Sequence, residues 1–381
     1  MSGDGEAVTR PSPVLARHGA VPALGHDEGV AWHYGDPFGE QRALERRSAF
    51  ADLSHTGVVT VTGPDRLTWL HSITSQHLTD LAPRTSTELL VLDPHGHVEH
   101  AAGVVDDGTT TWLLTAGDHA APLAAWLDRM RFMMRVEVAD VTADWAVLGE
   151  NVRAEGQEGE PVTWCDPWPT VAPGSTRYGP ADDVHPGADR AWRLVVVPRA
   201  DLLDEVRARE ASGWTLVGTW ATEAARVAAL RPRLELDVDD RTIPHELDWL
   251  RTAVHLAKGC YRGQETVARV HNLGRPPRRL AFAHLDGSEN LLPVAGAEVS
   301  VGERVVGRAT SVAMHHELGP IALVVVKRNV DPAADLTVAA EGGSVAAGQE
   351  VVVGADGVTP DRPAPRAPVA RGLAPRQRHE R

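Results

Sequence analysis

Along the central part of the chain, segments whose apolar residues follow the pattern of a strand alternate with segments whose apolar residues recur at helical spacing. The sequence VVTVTG, residues 58–63, is typical of a strand. Pro64 then suits the first turn of a helix, where its missing N–H costs nothing. Leu67, Leu70 and Ile73 give that helix one apolar stripe, so a strand followed by a helix is predicted here.

The same two patterns predict further elements downstream. Two hairpins are predicted where turn-forming residues at 93–96 and 106–108 interrupt strand-like runs. A helix is predicted over residues 118–131, where apolar side chains recur at the spacing of one buried face, and a strand over residues 134–142. The order strand, helix, strand recurs within residues 192–218, which indicates two related units.

The duplicated pattern predicts an α+β body followed by a smaller all-β domain. The body is expected over residues 26–275, with a first half at about 26–143 and a second half at about 144–275. After Pro276, short strands and regular turn signals replace the helical period. Residues 276–354 are therefore predicted to form a small barrel or sandwich.

Three segments rich in proline, glycine or alanine interrupt this pattern. Residues 1–25 and 355–381 show little periodicity and are predicted to be disordered tails. Residues 155–189 are predicted to form a long loop. That loop carries Trp164, Trp168 and other aromatic side chains, which we expect to dock against the body.

Composition limits the compartment and the partners. The sequence MSGDGEAVTR lacks the features of an export signal, and no apolar run approaches the ~18 residues that span a bilayer. We therefore expect a cytoplasmic protein that does not bind membranes, with Cys165 and Cys260 reduced. The formal net charge of −14 argues against direct nucleic-acid binding, and the basic stretch at residues 274–279 is expected to be a linker.

The sequence KGCYRGQETVARVHNLG concentrates chemically useful side chains. Cys260 stands between two glycines that allow a tight turn, and Lys258 and Arg262 would lower its pKa if they faced the thiol. Gln264 and Glu265 add an amide and a carboxylate. The alternative is that Cys260 is simply a small buried residue in a crowded turn.

The first eight residues of this stretch resemble the signature of the YgfZ proteins, which are folate-binding relatives of the glycine cleavage T-protein, an aminomethyltransferase. The motif comprises Lys258, Gly259, Cys260, Tyr261, Arg262, Gly263, Gln264 and Glu265. Residues 52–81, 242–247 and 305–314 also resemble segments of that family. The resemblance covers roughly residues 30–350.

The resemblance implies a three-part ring. Two interlocked ferredoxin-like halves and a C-terminal β-barrel would surround a central channel that holds tetrahydrofolate or a derivative. We expect the sulfur of Cys260 to line this central hollow, with its motif as the functional surface.

The resemblance also implies an accessory role rather than an established turnover. Proteins of this type are associated with assembly or maintenance of iron–sulfur proteins, including an enzyme that modifies tRNA, so the implied partners are folate and iron–sulfur proteins or their assembly machinery. The alternative is a folate-dependent aminomethyl- or methyltransferase.

Three residues outside the motif are candidate ligands of the folate. Glu99 stands where the T-protein carries an acidic residue, with a solvated strand residue as the alternative. Arg226 matches an arginine of the family and would bind a carboxylate of the folate tail, or would instead pair with Glu223 on a helix surface. Glu246 is either a ligand or a surface carboxylate.

Other chemistries receive less support. No metal site is predicted, because alternating strand positions separate His97 from His100, and the same argument applies to His315 and His316. No nucleotide-binding glycine motif is present. A thiol enzyme with Cys260 as the nucleophile would need a base, for which the candidates are His245, His255 and His271.

Overall fold

The computed structural model describes residues 11–288, 291–360 and 362. Within these residues eight α-helices, α1–α8, lie in chain order at Pro37–Glu45, Arg66–Ile73, Gly117–Met130, Leu202–Ala211, Thr219–Ala228, Leu234–Asp237, Leu250–Ala253 and Gln264–Asn272. Short 3₁₀ helices lie at Pro13–Ala16, Gly25–Asp27, Asp182–Val184, Arg199–Asp201 and Pro244–Leu247.

The strands found in the described residues are numbered β1–β18. In chain order they are Val21–Pro22, Ala31–His33, Ala49–Asp52, Gly57–Thr62, Ser86–Leu92, Val98–Asp106, Thr110–Thr115, Glu137–Asp140, Trp145–Glu150, Val162–Cys165, Arg193–Pro198, Thr215–Val217, Arg278–Leu285, Glu298–Val301, Arg304–His315, Gly319–Lys327, Leu336–Ala340 and Gly343–Val351. They form a two-stranded ribbon (β1 and β2), two five-stranded sheets and one closed barrel.

The first sheet has the strand order β5-β6-β7-β4-β8, and every pair in it is antiparallel. Helices α2 and α3 cover one face. Leu70 from α2 and Leu123 and Trp126 from α3 pack there against strand residues such as Val59 and Leu89. This buried face is the one that the helical stripes in the sequence predict.

The second sheet has the order β10-β11-β9-β3-β12. Its strand β3 lies early in the chain, before the whole first sheet, and pairs parallel with β12 and antiparallel with β9. Residues of both predicted halves therefore build the second sheet. The two sheets share a small apolar cluster that includes Val58, Leu114, Val147, Trp164 and Val196.

The C-terminal strands close into a six-stranded barrel in the order β13-β16-β15-β14-β17-β18. Between a barrel and a sandwich, the two alternatives that the sequence left open, the barrel is confirmed. Small and branched side chains fill its interior, including Ala281, Val299, Val324 and Val338. Mixed α/β sheets followed by a closed barrel agree with the predicted α+β class.

Two segments are more ordered than their composition predicts. Residues 11–25 lie within the predicted tail, yet Val14 is fully buried against the second sheet. The predicted loop at 155–189 contains β10, which pairs with β11. Its aromatics dock as expected, because Trp168 is fully buried. Apolar anchors order these segments despite their proline and glycine content.

The predicted C-terminal tail lies mostly outside the described residues. Of residues 355–381, the structure describes 355–360 and 362, and Thr359 is buried there. Across the described ranges, no helix combines the length and apolar character that crossing a membrane requires.

Candidate functional site

A cavity of about 220 Å³ lies between the two five-stranded sheets. Strand residues of both sheets line it, among them Glu88, Gly103, Trp164 and Leu194, together with residues of α5 and of the segment that follows α5. We call it the intersheet cavity. Gly103 is required here, because a Cβ at this position would come within 2.6 Å of the Trp164 ring.

Arg231 is the central charged group in the wall of this cavity. Its Nη2 donates to Glu88 at 2.6 Å and its Nε donates to Asp166 at 3.2 Å. The guanidinium also lies 5.4 Å from the centre of the Trp168 ring and 5.8 Å from that of Trp249, within cation–π range. Aromatic and ionic contacts therefore fix its orientation.

Several buried polar atoms in the same wall have no hydrogen-bond partner among the described residues. They are Nη1 of Arg231, Oγ1 of Thr219, Nε1 of Trp249 and Nδ1 of His55. An unsatisfied buried donor costs roughly 1–3 kcal/mol, so native proteins keep few of them. Four such atoms on residues that line one cavity are consistent with a site that a polar ligand completes.

The carboxylates of the cavity are paired with arginines. Burial raises the pKa of Asp166, but the charges of Arg231 and Arg190 outweigh burial and leave that pKa below its ordinary value. Burial likewise raises the pKa of Asp27, and Arg233 and His55 together outweigh it. The wall therefore presents ionised acceptors as well as donors at neutral pH.

Arg226 lines the intersheet cavity, but its hydrogen-bonding capacity is used within the protein. It donates two bonds to Glu223, at 2.8 and 2.5 Å, and one to Asp237 at 2.9 Å. Its remaining N–H groups bond to Ser311 and to the carbonyl of Arg231. All five N–H groups are then occupied. Arg226 therefore forms the pair with Glu223 that the sequence offered as the alternative to ligand binding. This pair is buried and does not lie on the helix surface.

Glu246 is not a cavity residue. It is fully buried in the 3₁₀ helix Pro244–Leu247, and its carboxylate accepts from the side chain of Arg278 at 2.8 and 3.0 Å. Backbone N–H groups of Arg278 and Ile243 also donate to it. Glu246 therefore binds Arg278 at the start of the barrel, and does not have the ligand-binding role for which it was a candidate.

The motif around Cys260 begins with a lysine that caps a helix. Nζ of Lys258 donates to the carbonyl oxygens of His71 and Thr74, and to that of Gln76 at 3.1 Å. These oxygens belong to the last turn of α2 and the residues just after it, where intrahelical donors are missing. Burial lowers the pKa of Lys258 to about 7, whereas the three oxygens favour its charged form.

Cys260 is exposed and is absent from the lining of the intersheet cavity. The sulfur therefore does not face the intersheet cavity, and the alternative of a small buried residue is wrong. A Cβ on the neighbouring Gly259 would meet no atom within 4 Å, so this part of the turn is open. Lys258 directs its charge at helix carbonyls and Arg262 directs its charge at Glu99, not at the thiol.

Glu99 and Arg262, two residues singled out in the sequence, do meet. Nη1 of Arg262 donates to Glu99 at 2.5 Å and Nη2 donates at 3.3 Å, with each side chain about one third exposed. Glu99 is absent from the lining of the intersheet cavity. Its carboxylate therefore serves to fix the motif against β6.

The remaining motif residues hold the turn in place. Gly263 has φ +81°, and a Cβ there would lie 2.6 Å from the carbonyl oxygen of Asp93. Tyr261 is buried under the ammonium of Lys258, 5.0 Å from the ring centre. Gln264 reaches back toward the Lys258 carbonyl at 3.5 Å, and Glu265 pairs with Arg269 on the exposed face of α8.

Sequence reasoning missed the groups that form the cavity. Glu88 precedes an apolar strand run and Asp166 follows Cys165 in the predicted loop, so neither position carries a recognisable motif. Arg231 lies just after α5 in the sequence RPR. One signal in the sequence could have revealed these cavity residues. Charged residues beside strands that are otherwise apolar are expected to be buried and paired with opposite charges.

A second cavity, of about 620 Å³, shares Asp166 with the intersheet cavity. It is lined by His77, His255, Cys165 and Thr170 among others. Burial raises the pKa of the Cys165 thiol, so this cysteine is protonated at neutral pH. The cavity therefore offers mainly apolar surface rather than a reactive thiolate.

No protein-family model matches the sequence, and no curated protein matches it. The fold does match a solved structure, the crystal structure of the glycine cleavage system aminomethyltransferase T from Bartonella henselae. The TM-score is 0.70 at 16% sequence identity, over 88% of this chain and 94% of that one. The protein therefore has an aminomethyltransferase T-like fold.

Proposed function

We propose that this protein is a folate-binding accessory protein of the YgfZ type, in which the intersheet cavity holds a reduced folate. The observation that carries the proposal is the cavity itself. Its wall presents Arg231, held between two tryptophan rings with an unused donor, together with ionised carboxylates. Such a mixture suits a flat heteroaromatic ring that carries both donors and acceptors.

The size of the cavity supports partial enclosure of this ligand. Pockets that hold a whole drug-sized molecule typically measure about 300–1,000 Å³. At about 220 Å³ the intersheet cavity suits the bicyclic ring of a folate, with the remainder of the molecule extending outward. Arg226, whose donors are occupied, supports the wall instead of binding the glutamate tail.

The ring architecture belongs to the same proposal. The two sheets, with β3 crossing from one predicted half into the other, would represent the interlocked ferredoxin-like halves. The barrel would close the ring, and the bond from Arg226 on α5 to Ser311 on β15 links the cavity wall to the barrel. The channel of this ring would contain the intersheet cavity.

Binding is favoured over aminomethyl transfer by the position of Glu99. A transferase needs a carboxylate beside the reacting folate amine, but Glu99 is bound by Arg262 and does not line the cavity. An aminomethyl-transfer assay tests the alternative. Turnover with an aminomethylated carrier and tetrahydrofolate would contradict the accessory function and show that the protein is an enzyme.

The exposed position of Cys260 suits contact with another protein. The turn that presents the thiol is anchored by Lys258, by the Arg262–Glu99 pair and by Gly263, so the sulfur is held on a rigid surface loop. We propose that the motif KGCYRGQE is the surface that meets iron–sulfur proteins or their assembly machinery in the cytoplasm. The link to tRNA modification would be indirect, through such a client enzyme.

The thiol-enzyme alternative is weakened by the bonds of its candidate bases. His245 is fully buried and its Nε2 lies 3.2 Å from the carbonyl of Val267, while Nδ1 of His255 accepts from the backbone of Ala257. Neither bond involves the thiol of Cys260. A general base has to lie within hydrogen-bond reach of its nucleophile.

Calorimetric titration with tetrahydrofolate tests the cavity. We expect Thr56→Trp to abolish saturable binding, because an indole at this lining position would fill space without removing a buried charge. Thr170→Trp, which adds the same bulk to the second cavity, should leave affinity unchanged. Equal binding by both variants would place the ligand elsewhere, and absence of binding by the unmodified chain would contradict the folate proposal.

Replacement of the exposed thiol tests the surface. We expect Cys260→Ser to leave the melting temperature and tetrahydrofolate affinity unchanged, while iron–sulfur enzyme activity falls in cells that rely on this protein. The thiol is exposed, so its loss removes no packing. Full support of client activity by the serine variant would show that the motif acts without its sulfur.

A further inference from the structure

Three side chains with metal-binding atoms meet where helix α1 approaches the β15–β16 hairpin. Glu45 is the last residue of α1, His315 is the last residue of β15, and His316 begins the turn that follows. One possible ligand atom from each residue lies within 4.8 Å of the other two. We propose that Glu45, His315 and His316 bind a divalent transition-metal ion such as Zn²⁺.

His316 is oriented by a contact of the kind that metal-binding histidines use. The side-chain amide of Gln41 on α1 donates to the carbonyl of Met314 at 2.9 Å, which leaves its Oε1 as an acceptor. That oxygen accepts the backbone N–H of His316 at 2.8 Å and lies 3.2 Å from His316 Nδ1. Nδ1 therefore carries the ring proton. Histidine ligands commonly donate their second N–H to an oxygen in this way.

The other ring nitrogen of His316 then faces a carboxylate. Nε2 lies 3.0 Å from Oε2 of Glu45. Two lone pairs at this distance require a positive species between them, either a proton on Nε2 or a cation. Ligand atoms around tetrahedral Zn²⁺ with bonds of about 2.0–2.1 Å lie roughly 3.3 Å apart. The observed separation is thus close to that of a bound pair.

His315 supplies the third nitrogen under a constraint. Its Nδ1 accepts the backbone N–H groups of Glu317 and Leu318, both at 3.2 Å. To bind a metal, the ring has to give up these long contacts or move its proton from Nε2. We therefore expect His315 to contribute less to affinity than His316 does.

The ligand set and its surroundings indicate the class of ion. Two imidazoles and one carboxylate suit Zn²⁺, Ni²⁺, Co²⁺ or Cu²⁺ better than Mg²⁺ or Ca²⁺, which prefer oxygen ligands. All three residues also line a cavity of about 320 Å³ between α1, α5 and the hairpin. Space for water at the remaining coordination positions is therefore present, as in zinc sites with three protein ligands.

Calorimetric titration of the untagged, full-length chain with Zn²⁺ tests the site. We expect one ion per chain and a rise of the melting temperature with Zn²⁺, because the ion would join α1 to the barrel. Glu45→Gln and His316→Ala should each raise the dissociation constant at least tenfold, and His315→Ala should raise it by a smaller factor. Glu45 is exposed, so Glu45→Gln leaves folding intact.

A second histidine–glutamate pair on the barrel provides the control. Nε2 of His284 lies 2.9 Å from Glu350, but no third ligand is grouped with this pair among the residues described. His284→Ala should leave stoichiometry and affinity unchanged. Unaltered affinity in Glu45→Gln would overturn the proposal. It would also fall if the unmodified chain bound no Zn²⁺, which would identify the contact between Glu45 and His316 as an ordinary ion pair.

Discussion

At the scale of single residues, the motif acts first through Lys258. Its ammonium group replaces the missing donors at the end of α2 and lies over the ring of Tyr261. One side chain thereby connects the segment carrying Cys260 to a helix nearly two hundred positions earlier in the chain. The orientation of the exposed thiol depends on this connection.

We expect Lys258→Met to lower the free energy of unfolding by about 1–3 kcal/mol, because buried carbonyl oxygens lose their donor. Methionine keeps most of the apolar stem and removes the ammonium. The control is Lys327→Met at the chain's other lysine, which is exposed and contacts one carbonyl at 3.2 Å. Urea denaturation measures both. Equal effects would show that the bonds to α2 contribute little.

At the scale of elements, the barrel is attached to the body through the first residue of β13. Arg278 donates to the buried carboxylate of Glu246 and also to Asp239, at 2.6 and 3.0 Å. Burial lowers the pKa of Arg278, but Asp239 and Glu246 outweigh it and leave the pKa above its ordinary value. The junction is therefore an ion network, not only an apolar contact.

We expect Arg278→Met to destabilise the protein by about 3–5 kcal/mol, since removing one partner leaves a buried carboxylate uncompensated. Arg304→Met is the matched control, because Arg304 also begins a barrel strand but is exposed. Thermal unfolding monitored by circular dichroism compares the two. A small effect at Arg278 would mean that water or another donor satisfies Glu246 when the arginine is lost.

At the scale of the whole molecule, buried neutral histidines couple folding to pH. Burial lowers the pKa of His185 and of His245 to about 3 and that of His100 to about 4. The unfolded chain binds protons at these rings near pH 6.5, whereas the folded chain does not. Stability is therefore fully present above pH 6.5 and is lost as the pH falls toward the folded values.

We expect the free energy of unfolding to fall between pH 6.5 and 5, by roughly 2 kcal/mol for the fully buried His245 alone. Ordinary Asp and Glu side chains titrate near pH 4, below this window. Urea titrations at several pH values measure the slope, which His245→Asn should reduce. A slope unchanged by His245→Asn would indicate that water reaches this ring in the folded state.

The sequence by itself determined the local elements and the change to short strands after residue 276, but not whether those strands close into a barrel. Period-two and helical patterns depend on neighbours within one strand or helix, and turn residues such as those at 93–96 depend on backbone geometry alone. The pairing of β3 with β12 could not be predicted in this way, because its partners lie more than 160 positions apart. The burial of Val14, which anchors residues 11–25, could not be predicted either, because most of the residues that Val14 packs against lie far along the chain.

Only the tertiary structure decided which charges meet. Arg226 and Glu246 were predicted as candidate ligands, but both are bound within the protein, and their partners Ser311 and Arg278 lie beyond any local pattern. The alternation argument that separated His315 from His316 applies to strand residues, and β15 ends between them. Local periodicity therefore fixed the elements, whereas long-range packing in a medium that penalises unpaired charge fixed the sites.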